Sequence, residues 1–307
     1  MFENKEEVRP VLGAIVNAKK TREPSPMSYT AEISRRQPGC IFFLIDQSTS
    51  MNLPFRGSEA TSRAQSLTEA INRLLQELVV RCTKSQGEGV REYFDVGVFG
   101  YGSEAFGPVM GGSLADRELV SIRDVAEHPL RLATSVQAMP DGDGGFVEAE
   151  VRFPVWFELD ALGTTPMCAA LREARSILDP WTQQHAYSFP PLVFNITDGE
   201  ATDGDPQEPS AALRELSTED GSVLLFNVHI SSSSDAPVLY PDSSKDLSDD
   251  FARQLFEMSS VLPPSFQDKF QDENYDVGAE SRAFVFNAGI AEVIRCLDIG
   301  TRLKMRR

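Results

Sequence analysis

The chain has 307 residues and carries 46 acidic against 29 basic side chains, for a formal net charge of -17. That length suits one large domain or two small ones, with a core that needs no disulfide or metal staples. The acid excess argues against general binding to nucleic acid or to an anionic membrane, because both require a basic surface; it leaves room for a metal ion.

The first ten residues, MFENKEEVRP, lack the basic start and apolar stretch of a secretory signal. The apolar run over residues 41–45 is far too short to span a bilayer. Cys40, Cys82, Cys168 and Cys296 stand far apart without a CxxC pair. They read as buried free thiols in a reducing compartment, so the expected location is cytoplasmic.

In chain order, residues 1–30 are polar, interrupted by Pro24 and Pro26, and read as a flexible arm. Residues 31–307 form the expected domain. A continuous apolar strand over residues 40–45 suits burial on both faces. After a loop, Leu67, Ile71, Leu74, Leu75, Leu78 and Cys82 make one helical stripe, with Ser62 and Gln65 set for a capping box. A second strand covers residues 93–101.

Residues 103–160 break the rhythm and read as a β-rich insertion. Apolar Val147, Ala149, Val151, Phe153, Val155 and Phe157 alternate there with mostly charged residues, as in an antiparallel strand with one wet face. The expectation is that this strand extends the domain's own sheet. A helix then starts at Thr165-Pro166, with Thr165 as its cap. Strands follow at residues 192–197, 223–230 and 283–287, separated by helices near 209–216 and 247–261 and closed by a helix over 290–303. Strands alternating with helices define an α/β fold, a doubly wound and mostly parallel sheet with helices on both faces.

In such a sheet, ligands gather outside the carboxyl ends of the strands. Three segments fall there: Asp46-Gln-Ser48-Thr-Ser50 after the first strand, Gly163-Thr-Thr165-Pro before a helix, and Thr197-Asp198-Gly199 after a central strand. Together they offer two carboxylates and several hydroxyls, with no His and no Cys. An all-oxygen set suits a hard divalent cation such as Mg²⁺ or Mn²⁺.

The D-x-S-x-S of Asp46, Ser48 and Ser50, the Thr before Pro at Thr165, and the T-D-G at Asp198 resemble the von Willebrand factor A family with its metal-ion-dependent adhesion site. The likeness covers roughly residues 38–303 apart from the insertion. It departs at Gly163-Thr164, where relatives often have Gly-Gly, so Thr164 competes weakly as a hydroxyl donor. The resemblance implies a six-stranded sheet with one antiparallel edge. It also implies a metal held by Asp46, Ser48, Ser50, Thr165 and Asp198, directly or through water. That metal would be Mg²⁺, with Mn²⁺ or Ca²⁺ as alternatives. A partner protein's Asp or Glu would complete the coordination. Cytosolic relatives of this kind often stand beside ATPases, kinases or phosphatases, so the implied role is a non-enzymatic adaptor in a bacterial signalling or stress system.

Blander readings exist for each piece. Asp46, Ser48 and Thr165 are good turn and cap residues, and Asp198-Gly199 is an ordinary turn dipeptide. Only their co-location favours a metal. The acidic run from Asp198 to Asp205 fails as a calcium loop, because its sixth position is Asp203 and its twelfth Pro209. His128, His185 and His229 have no fixed-spacing partners, so zinc chemistry and a Ser-His-Asp triad lack support. A Mg²⁺-dependent hydrolase or phosphotransferase lacks a visible general base. A purely structural metal is the third reading.

Overall fold

The computed structural model describes residues 28–55, 61–83, 89–102, 106–140, 145–231, 235–245, 247 and 249–305. Residues 1–27 of the expected arm and the Gly/Asp-rich turn at 141–144 lie outside them.

The elements run β1 (Gly39–Asp46), α1 (Arg63–Cys82), β2 (Phe94–Tyr101), β3 (Phe106–Pro108), β4 (Val120–Ser121), α2 (Ile122–Glu127), β5 (Arg131–Pro140), β6 (Phe146–Val155), α3 (Met167–Gln184), β7 (Leu192–Thr197), α4 (Gln207–Arg214), β8 (Leu224–Ile230), β9 (Val238–Leu239), α5 (Asp250–Met258), α6 (Pro264–Asp272), β10 (Phe284–Ala288) and α7 (Ile290–Thr301). The central sheet has the order β3-β2-β1-β7-β8-β10-β9, with β4 also paired to β2. The neighbours from β2 through β10 are parallel, while β3, β4 and β9 are short antiparallel additions. The expected count of six strands is therefore corrected to eight among the described residues. The extra strands are two or three residues long, too short to leave a periodic signature.

Every residue of β1 is buried, as its continuous apolar run requires. Alternate side chains enter opposite cores: Ile41, Phe43 and Ile45 join the layer with the α1 and α7 side chains, while Cys40, Phe42 and Leu44 join the α3 layer. Phe43, Phe194 and Phe226 stack across β1, β7 and β8 with centroids 5.6 and 4.8 Å apart. All four cysteines are buried free thiols. Among the described residues, no helix is long and apolar enough to cross a membrane.

The alternating strand of the insertion does not extend the central sheet. It pairs as β6 with β5 in a separate two-stranded ladder, from Arg131 opposite Val155 to Pro140 opposite Phe146. The edge of the sheet at β2 is already taken by β3 and β4, and the edge at β10 by β9. Leu132 and Val147 are exposed on this hairpin. Its base is gripped by Asn72 of α1, whose Oδ1 accepts the Trp156 N–H at 2.8 Å and whose Nδ2 donates to the Phe157 carbonyl at 3.1 Å.

Candidate functional site

Read in chain order, the parallel strands β1, β2, β7, β8 and β10 stand in the spatial order 2-1-3-4-5. The order reverses between β1 and β7, and that switch point is where open α/β sheets bind ligands. Asp46 ends β1, and Thr197 ends β7 with Asp198 next. Two of the three predicted segments thus flank the switch point through strand order alone.

The side chains converge there. The Ser48 and Ser50 hydroxyl oxygens are 3.0 Å apart. Ser50 donates to Asp198 Oδ1 at 2.7 Å, and Ser48 stands 3.4 Å from the same oxygen. Oxygens sharing one Mg²⁺ or Mn²⁺ at about 2.1 Å and right angles stand about 3 Å apart, so this trio has the spacing of a shared coordination face. Asp46 is fully buried beneath them. Its Oδ1 accepts the Ser48 N–H and its Oδ2 accepts the Thr197 hydroxyl, each at 2.7 Å. Burial pushes the Asp46 carboxyl up to about 6 against these hydrogen bonds.

Thr165 is held beside this group rather than bonded into it. Its N–H donates to the Thr202 hydroxyl at 3.1 Å, and its carbonyl accepts the Thr202 N–H at 2.9 Å. Its Oγ1 lies 3.8 Å from where a Cβ on Gly199 would stand. The expected cap role of Thr165 is corrected. The helix begins at Met167, and Asp203 caps it from the loop after β7, accepting the N–H groups of Cys168 at 3.0 Å and Ala169 at 2.8 Å. The Thr165 hydroxyl is therefore not engaged as the cap of α3. Gly163 turns the preceding loop with φ of 98°, a conformation that favours glycine, and its carbonyl accepts the Thr49 N–H at 3.1 Å.

Arg63, Thr202 and Asp203 contact the site but escape the sequence reading, and Thr197, read there only as part of the T-D-G segment, hydrogen-bonds Asp46. Arg63 is only 5% exposed, and its Nη1 meets Asp198 Oδ2 at 2.5 Å. One signal was available, since Arg63 is the first residue of α1, where the helix dipole disfavours a cation. His229 lies buried in β8, stacked on Phe286 at 4.3 Å. Burial pushes its imidazole down to about 4.

Among the described residues, no group of three or more His, Cys, Asp or Glu is placed to hold a metal ion. A cation at the switch point would therefore complete its shell with hydroxyls, and the donors that converge there fit a hard, oxygen-preferring ion.

No family model matches the chain, and no curated protein matches it. Among solved structures, it is similar to a manganese-loaded TRAP protein of Plasmodium vivax, with 13% sequence identity and a TM-score of 0.38, over 85% of this chain and 72% of that one. At that score, the fold rests on this chain's own strand order.

Proposed function

We propose that this chain is a von Willebrand factor A-type interaction module that docks a partner protein's Asp or Glu through a divalent cation held at Asp46, Ser48, Ser50, Thr165 and Asp198. The observation that carries this reading is the meeting of the Ser48, Ser50 and Asp198 oxygens at the switch point between β1 and β7. Each side chain has a distinct task. Ser48, Ser50 and Asp198 Oδ1 offer the coordinating oxygens. Asp46 anchors the Ser48 backbone and supplies a second negative charge from below. Thr165 brings a further hydroxyl on a loop tied to Thr202. When bound, Mg²⁺ or Mn²⁺ supplies a Lewis-acidic centre for an incoming carboxylate oxygen. The -17 surface repels acidic partners broadly, which favours one specific docking residue over a diffuse acidic face.

Calorimetric titration with Mg²⁺, Mn²⁺ and Ca²⁺ tests the site. Saturable binding that disappears in Asp198→Ala is expected, and no heat in the wild type would end the reading. Partner capture with and without EDTA then separates docking from a structural metal, because the same partners retained under chelation would contradict docking. Turnover of phosphoesters lost in Asp198→Ala would replace docking with a hydrolase.

A further inference from the structure

Cation docking needs two carboxylates and the hydroxyls, yet the site also contains a buried guanidinium. The Arg63 side chain is 6% exposed and that of Asp198 is 0% exposed, and the two form an ion pair at 2.5 Å. Charged side chains are almost never this buried unless paired. The pair divides Asp198 between two tasks: Oδ2 faces Arg63 while Oδ1 faces the Ser50 and Ser48 hydroxyls. Arg63 is also fixed by its backbone. Its N–H donates to the Leu53 carbonyl at 2.9 Å, and the neighbouring Ser62 caps α1 by accepting the Gln65 N–H at 3.1 Å. A cation at this first helical position works against the helix dipole, and local rules are most often broken where function requires it.

We propose that Arg63 is a fixed counter-charge that weakens cation binding at this site and strengthens the loaded site's hold on a carboxylate. The inference rests on the reading of the site as a cation site. With Arg63 present, the two carboxylates and the guanidinium sum to one negative charge. A divalent ion then leaves one positive charge in excess rather than none, and that excess is what an Asp or Glu of a partner neutralises. Because Arg63 occupies the oxygen turned away from the serines, it adjusts the charge of the site without filling it.

Calorimetry with Mn²⁺ on the wild type, Arg63→Gln, Arg63→Lys and Asp198→Ala tests the proposal. Arg63→Gln is expected to bind Mn²⁺ at least about tenfold more tightly, the scale of one unit charge acting on a divalent ion at about 6 Å under the screening of bulk water. Arg63→Lys keeps the charge and should stay within about threefold of the wild type on the same grounds. The Mn²⁺-loaded proteins are then titrated with sodium acetate, followed by water-proton relaxation. Arg63→Gln should require several times more acetate than the wild type to displace bound water. Equal or weaker Mn²⁺ binding by Arg63→Gln, or unchanged acetate sensitivity, overturns the proposal. If Arg63→Gln does not fold, Arg63→Lys decides, and a tenfold loss there would make the fork geometry rather than the charge the operative feature. Absence of Mn²⁺ binding in every protein would remove the cation reading itself, whereas binding with no Arg63 dependence removes only this inference.

Discussion

The carboxylate of Asp203 caps the helix that follows Thr165, accepting the Cys168 N–H at 3.0 Å from a loop 35 residues further along the chain. Two free helical N–H groups are satisfied by one side chain that also ties the loop after β7 to the loop before α3. Asp203→Ala is expected to cost about 1 kcal/mol, and up to about 2 kcal/mol, in urea unfolding without metal. Thr165→Val should cost less than Asp203→Ala, because Thr165 is not the cap. A larger loss from Thr165→Val would reverse that assignment.

Asp46 gives the metal-free protein a defined pH response. Its folded value of about 6 lies above the unfolded carboxylate value of about 3.9, so the folded state holds this proton more tightly. The stability it contributes is fully present below about pH 4 and is lost as pH rises through about 6, by about 3 kcal/mol at most. Asp46→Asn removes that dependence, and the Thr197 hydroxyl retains the Gly199 carbonyl as an acceptor. In EDTA, the variant is expected to melt above the wild type at pH 7 and to converge with it near pH 4. Parallel melting curves across that range would contradict the assignment.

A buried polar chain underlies the site. Tyr101 donates to Asn195 Oδ1 at 2.8 Å, Asn195 donates to Asn227 at 2.9 Å, and Asn227 donates to Ser259 at 3.0 Å. Asn195→Leu removes the Asn195 acceptor of the Tyr101 hydroxyl and strands the Asn227 carbonyl oxygen, a loss of about 1–3 kcal/mol. Tyr101→Phe removes one hydroxyl and should cost about 1 kcal/mol. The double variant should lose less than the sum, because both substitutions break the same bond. Strict additivity in denaturant unfolding would show that the chain does not act as a unit.

Asn72 fastens the hairpin to the domain through the backbone of Trp156 and Phe157. Asn72→Ala leaves the Trp156 N–H and the Phe157 carbonyl without that partner, a loss of about 2 kcal/mol. Hydrogen exchange should accelerate at the Trp156 amide beyond any change in the β1 amides. Equal acceleration at both would mean that the hairpin base and the central sheet open together.

The residue pattern by itself determined the alternation of strands and helices, because a fully buried strand such as β1 is a run of apolar side chains and an amphipathic helix such as α1 shows its stripe. It also placed the segments at Asp46 and Asp198 at one edge of the sheet, because residues following parallel strands collect there, while the full set with Ser48, Ser50 and Thr165 came from the family resemblance. The tertiary structure decided what depends on pairing across long separations. The alternation over residues 147–157 defined a strand without naming its neighbour, and the neighbour proved to be β5, since the edges of the central sheet were already covered. Asp203 as the cap of α3 and Arg63 as the counter-ion of Asp198 are contacts spanning 35 and 135 residues. No local periodicity encodes such contacts, because a carboxylate or guanidinium looks the same in sequence whether it faces solvent or a buried partner.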